Sequence, residues 1–301
     1  MNRWYIYQKE RFPLLQYIPL MCLFGFCAVS YSVHLDFPDA RLSDISALQY
    51  IAAAATTLFW FMLMRIADEH KDFAEDSKYR PYRPVQRGLV ALKELKAIGV
   101  ALGLLQIAMA ILINFRLLFM LAIVYLWYML MCKEFFVPKW LKPRHTTYLL
   151  SHMIIMPFIS LYATAIEWVP REGVLSFGLF VYMISSFCDG TVIEVGRKLR
   201  APENEEYGVD TYTHIWGPRR AMFVWFICVS ISLVSTILAG FQVRVGLEIA
   251  AMLAILYCYA LFIAIRFAKN PTPKNAKIFT LFPGIWMIFN YSILGFLPYF
   301  K

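Results

Sequence analysis

Runs of about twenty apolar residues recur along the whole of this chain. That is the length an α-helix needs to cross ~30 Å of hydrocarbon at ~1.5 Å per residue. We place spans at about 13–33, 45–64, 94–113, 117–133, 148–168, 174–193, 218–239, 246–266 and 277–299. Strand-length stretches of alternating apolar and polar residues are missing, which argues against a membrane β-barrel. The fold class expected is therefore all-α: a polytopic membrane protein, one integral domain over 1–301, with about nine transmembrane helices.

Composition closes the soluble alternative. Hydrophobic residues make up 60% of the 301 and charged residues 16%, against about half and a quarter in an ordinary soluble domain. A soluble fold of this length would need a polar surface that the sequence lacks. The six cysteines lie in or beside apolar runs with no CxxC spacing, so they are read as packing residues and not as disulfides or a thiolate metal site. The first run is kept as a span, because it is long for a signal peptide and the charge alternation below requires it.

The net charge of +9 is spread over several loops, as expected of membrane anchoring and not of nucleic-acid binding. Basic residues crowd the segment before the first span and the loops after the second, fourth, sixth and eighth. The opposite loops are poor in them. By the positive-inside rule the N-terminus is cytoplasmic and, for an odd number of spans, the C-terminus lies outside, which suits a bacterial inner membrane. Two loops on the basic side, about 65–93 and 194–217, are long and chemically unlike the plain connections elsewhere.

The first of these carries Asp68, Asp72 and Asp76 at intervals of four, then Arg80-Pro81-Tyr82-Arg83-Pro84 and Arg87-Gly88. If the second helix continues past Arg65, the three carboxylates share one face and repel one another unless a cation is present. Mg²⁺ takes one or two carboxylates and completes its shell with water and phosphate. Arginines downstream supply planar donors for phosphate oxygens. The plainer reading is a solvated helix end whose acids pair with Lys71, Lys78 and Arg80. The second loop holds Glu194, Arg197, Lys198, Arg200, Glu203, Glu205, Glu206 and Asp210. Glu194 and Lys198 are spaced for an i,i+4 ion pair, and Asp189 lies inside an apolar run, where a carboxylate is either functional or paired.

The pattern Asp68-x-x-x-Asp72, the Arg80-Pro81-x-Arg83-Pro84 turn and Arg87-Gly88 resemble the first signature of the UbiA-type intramembrane prenyltransferase superfamily. Gly208, Thr211 and Gly217 match the tail of its second signature, and Lys133 resembles a basic position at the end of its fourth helix. The sequence departs from the pattern in three ways, one being a segment between Asp72 and Arg83 that is about two residues longer than is typical. Met64 and Arg65 stand near the place of the Asn that opens the first signature, and glutamates at 194, 203, 205 and 206 replace the aspartates of the second.

The resemblance implies a UbiA-like bundle and Mg²⁺ as cofactor. A prenyl diphosphate would bind with its head between the loops and its tail among the helices. Asp68, Asp72, Asp76, Glu194, Glu203 and Glu206 are the implied metal ligands, with Asp68, Asp72 and Glu194 carrying catalysis. Arg80, Arg83, Lys133 and Lys198 are the implied diphosphate contacts. Transfer to a lipophilic or aromatic acceptor makes the chain a prenyltransferase, and internal capture of the allylic cation makes it a terpene cyclase. His152 is a general base or a hydrogen-bonded packing residue. A transporter would place its ionisable groups near the midplane; a non-catalytic scaffold remains the other rival.

Overall fold

The computed structural model describes residues 2–301, which contain no strand. The first seven helices are α1 (Arg3–Arg11), α2 (Leu14–Asp36), α3 (Ala47–Lys71), α4 (Phe73–Tyr79), α5 (Leu92–Ile113), α6 (Leu117–Cys132) and α7 (Pro138–Leu141). They are followed by α8 (His145–Met153), α9 (Ile155–Trp168), α10 (Phe177–Gly196) and α11 (Tyr212–Trp216). The last four are α12 (Pro218–Gln242), α13 (Gly246–Lys269), α14 (Pro273–Ala276) and α15 (Ile278–Phe296).

Eight segments among the described residues are long and apolar enough to cross a membrane. A ninth apolar helix, α6, has 16 residues and occupies the place expected for the fourth span. The chain is thus a multi-pass integral membrane protein. One span, expected at 148–168 and found as His145–Trp168, is broken between α8 and α9. Pro157 explains the break: its ring cannot donate a backbone hydrogen bond and crowds the carbonyl four residues back, at Met153.

The chain divides into two compact units. Unit 1 holds the residues up to Val29, Ser43–His145 and Leu161–Val174. Its α3 starts with a capping box, in which the Ser46 side chain accepts from Gln49 N–H and the Gln49 side chain accepts from Ser46 N–H. Thr57 Oγ1 donates to the Met21 carbonyl of α2 at 3.1 Å. Such polar ties help hold transmembrane helices that apolar burial alone does not drive together. Trp60 of α3 is fully buried, its ring 4.6 Å from Tyr125 and 5.8 Å from Tyr128 of α6.

Unit 2 holds Ser30–Leu42, Thr146–Ser160 and Leu175–Lys301. Its core is aromatic: Trp225, Phe279, Phe282 and Trp286 are buried together with aliphatic residues of α10, α12 and α13. Trp225 Nε1 donates to the Val192 carbonyl at 3.1 Å, fixing α12 on α10. Asp189, the carboxylate expected to be functional or paired, is paired: it accepts from Ser232 Oγ at 2.6 Å and from Asn290 Nδ2 at 3.0 Å.

Candidate functional site

The helical backbone of α3 runs into the first acidic loop with little interruption. Asp72 N–H donates to the Asp68 carbonyl at 2.9 Å, and Asp76 N–H donates to the Asp72 carbonyl at 2.8 Å. Asp68 and Asp72 are therefore one turn apart on one face, as their spacing predicts. Two of the loop's other acids are held by cations, while Glu75 is exposed. Glu69, fully buried, accepts from Arg11 Nε at 2.5 Å. Asp76, also buried, is gripped by Arg83 and by Arg80, the latter at 2.9 Å. By contrast, among the described residues Asp68 has a single, long ion pair, with Arg65 at 3.6 Å, and its side chain is 41% exposed.

Electrostatics follows that division. Burial, and then the neighbouring Asp68 charge, hold the Asp72 carboxyl above the ordinary carboxylate range. Burial and the nearby Arg11 and Arg80 push the Arg83 guanidinium below its usual value, with Asp76 opposing them. Unit 1 thus presents an under-neutralised carboxylate pair next to a crowd of guanidiniums. The first asks for a cation and the second for an anion.

The donor set fits the implied metal. Two carboxylates and open coordination for water and phosphate oxygens are what Mg²⁺ uses at a phosphate site. Among the described residues no three His, Cys, Asp or Glu side chains gather to form an all-protein cage. Asp76 differs from its two neighbours, because its carboxylate is already spent on two arginines.

Lys71 forms a 3.2 Å ion pair with the buried Glu134, just beyond α6. Glu134, Phe135 and Phe136 are all left-handed, at φ 49°, 52° and 60°. Non-glycine residues in that region cost about 1–2 kcal/mol each. The turn is held by the Lys71 pair and by an edge contact of Phe135 with Trp127 at 5.3 Å. It leaves Lys133 exposed at the helix end.

The second loop, in unit 2, folds back on itself. Tyr212 N–H donates to the Lys198 carbonyl at 3.2 Å, Arg200 N–H donates to Thr213 Oγ1 at 3.0 Å, and Thr211 caps α11 through its side chain. Glu194 lies between Arg197 at 2.5 Å and Lys198 at 3.0 Å, so the expected i,i+4 pair is present. Glu206 pairs with Arg200 at 2.7 Å, and Glu205 accepts from the Thr211 and Thr213 hydroxyls, each at 2.7 Å. Glu203 is exposed on a short turn. Gly88, Gly208 and Gly217, which end or punctuate the motifs, all sit at φ 76°, a conformation open to glycine and strained for other residues.

The sequence left two kinds of residue near these loops unnamed. Glu69 and Glu134 are acids whose partners lie far away in sequence. The aromatic trio Trp60, Tyr125 and Tyr128 lies on α3, which carries Asp68, and on α6, which ends just before Lys133. Tyr125 Oη donates to Gln106 Oε1 at 2.5 Å, and Tyr128 Oη donates to the Leu63 carbonyl at 2.9 Å, so both rings are fixed. His152 is stacked on Tyr148 at 3.9 Å, with Nδ1 2.9 Å from the Tyr148 carbonyl, which matches the packing alternative.

Known proteins of similar structure have the same architecture. A UbiA homolog from Aeropyrum pernix K1 aligns with a TM-score of 0.66 at 14% identity, covering 91% of this chain and 96% of that one. A digeranylgeranylglyceryl phosphate synthase structure aligns at 0.63 and 16% identity, covering all of both chains. A UbiA homolog from Archaeoglobus fulgidus, bound to DMAPP and Mg²⁺, aligns at 0.51 and 14% identity over 94% of this chain and 98% of that one. No curated protein matches by sequence. The model of the UbiA prenyltransferase family matches residues 20–292, and this chain belongs to that family.

Proposed function

We propose that this protein is a Mg²⁺-dependent prenyltransferase, moving a prenyl group from a prenyl diphosphate to a lipophilic or aromatic acceptor. The observation that carries the reading is the sorting of acids in the first loop. Asp68 and Asp72 stay available one turn apart, while Glu69 and Asp76 are neutralised by arginines. A bound divalent ion supplies charge neutralisation to the leaving diphosphate.

The chain's own residues do the rest. Asp68 and Asp72 hold the metal-bearing face of the substrate. Arg80 and Arg83, anchored by Asp76, donate to diphosphate oxygens, and Lys133 at the α6 terminus adds a mobile positive charge. As the C–O bond breaks, the diphosphate leaves with the electron pair and an allylic cation remains. The faces of Trp60, Tyr125 and Tyr128 provide the negative quadrupole that stabilises it. The acceptor forms the new bond and releases a proton to solvent. The basic loops favour a cytoplasmic N-terminus and an external C-terminus.

The test is product analysis. Purified protein is incubated with geranyl, farnesyl or geranylgeranyl diphosphate and Mg²⁺, with and without a lipid extract as acceptor source. A prenylated product that requires the extract supports the reading. A cyclic hydrocarbon formed without acceptor replaces it with terpene cyclisation, and the absence of any turnover favours a scaffold.

A further inference from the structure

Helix α1 makes three ion pairs, two of them with the first motif and one with the start of α5. Arg3 reaches Glu94 at 2.6 Å, Glu10 reaches Arg87 at 2.8 Å, and Arg11 reaches Glu69 at 2.5 Å. The first two are partly exposed, and such pairs contribute little. The third differs: the side chains of Arg11 and Glu69 are 11% and 0% exposed. Tyr7 of the same helix is also buried, and burial followed by the Glu69 charge drives its hydroxyl well above the usual tyrosine range.

This buried cluster is poorly made if stability is its purpose. Tyr7 Oη, Glu69 Oε2 and Arg65 Nε are each buried without a hydrogen-bond partner. Buried polar groups are normally satisfied, and a buried ion pair is weak evidence for stability. Its position is telling, because Glu69 directly follows Asp68 and so projects about 100° around α3 from it. A fixed Glu69 fixes the roll of the last turn of α3, and with it the face that carries Asp68 and Asp72. Arg11 also removes a third negative charge that would otherwise act on that pair.

We propose that Arg11 and Glu69 are positioning residues for the metal–diphosphate site, acting through the orientation of Asp68 and Asp72. The inference rests on the reading that those two aspartates hold a Mg²⁺-bound prenyl diphosphate. It makes the segment before the first span a working part of the site, although it contributes no ligand.

The experiment uses full-length protein and geranyl S-thiolodiphosphate, an unreactive analogue, titrated calorimetrically with and without Mg²⁺. Wild-type protein binds the analogue in a Mg²⁺-dependent manner, and Asp72→Ala abolishes that binding. Glu69→Ala weakens it at least tenfold. Glu69→Gln, which can still accept from Arg11, stays within threefold of wild type in affinity, although its unfolding midpoint falls because the Arg11 charge loses its counter-ion. In case the Ala variant does not fold, Arg11→Met/Glu69→Leu removes both charges at similar volume; it keeps the wild-type midpoint and loses affinity at least tenfold. Wild-type affinity in the Ala or double variant, or a Gln variant as weak as the Ala variant, overturns the positioning role alone. Wild-type protein that shows no Mg²⁺-dependent binding overturns both the inference and the functional reading beneath it.

Discussion

The two acidic loops look alike in composition and differ in how their charges are used. In the first, cations come from outside the acidic run, from Arg11 on α1 and from Arg80 and Arg83 after it, and they select Glu69 and Asp76. Asp68 and Asp72 are left over. In the second, each partner is local: Glu194 meets Arg197 and Lys198, Glu206 meets Arg200, and Glu205 meets two threonines. We propose that a count of acids overstates the second loop as a metal site, because Glu194, Glu205 and Glu206 are already partnered locally, whereas Asp68 has one long 3.6 Å pair with Arg65 and Asp72 lies beside the Asp68 charge.

Mutation of the leftover pair should have the largest effect. Asp72→Ala is expected to lower prenyl diphosphate turnover by at least about 100-fold, whereas Glu206→Gln changes it less than about threefold; steady-state diphosphate release measures both. Removal of one developing-charge stabiliser typically costs about 10²–10³ in kcat, which sets the scale. Equal losses in the two variants would erase the distinction between the loops.

Asp76 tests the complementary half of the comparison. Asp76→Ala leaves Arg80 and Arg83 without their buried partner and should cost about 3 kcal/mol, the low end for breaking a buried pair, since both guanidiniums are about a fifth exposed. Thermal unfolding in detergent reads this directly. The corresponding change in the second loop, Arg200→Gln, breaks a partly exposed pair and should cost less than about 1 kcal/mol. An Asp76→Ala midpoint equal to wild type would mean that Asp76 does not anchor the two arginines.

A smaller effect concerns pH. The carboxyl of Asp72 is raised by burial and by Asp68, so it keeps its proton at a pH where an ordinary carboxylate has lost it. Protons then compete with Mg²⁺, and affinity should begin to fall, on acidification, above the ordinary carboxylate range. The folded state binds the extra proton, so stability from this group declines as pH rises through the same window. Asp68→Asn removes the neighbouring charge and should move the Asp72 titration, followed by infrared difference spectroscopy, toward more acidic pH. An unmoved titration would show that burial alone sets it.

Much of the fold was legible because membrane spans depend on local composition. Eight of the nine apolar runs became one α-helix each, α6 having 16 residues, and the fifth became α8 and α9 on either side of the break that Pro157 explains. The motif glycines were also legible, since φ 76° at Gly88, Gly208 and Gly217 is a local demand. The Glu194–Lys198 pair followed from spacing. The fate of Glu69 could not be read so, because its partner Arg11 is 58 residues away. Nor could the aromatic trio: Trp60 meets Tyr125 and Tyr128 only through the packing of α3 on α6. The three left-handed residues after Lys133 gave no signal, because none of them is a glycine.

The most direct test of the central claim is Mn²⁺ binding, by electron paramagnetic resonance, in the presence of geranyl S-thiolodiphosphate. Wild-type protein and Glu203→Gln/Glu206→Gln should hold the ion with similar affinity, and Asp68→Ala/Asp72→Ala should lose tight binding altogether. Undiminished Mn²⁺ affinity in the aspartate double variant, or its loss in the glutamate variant alone, would contradict the account.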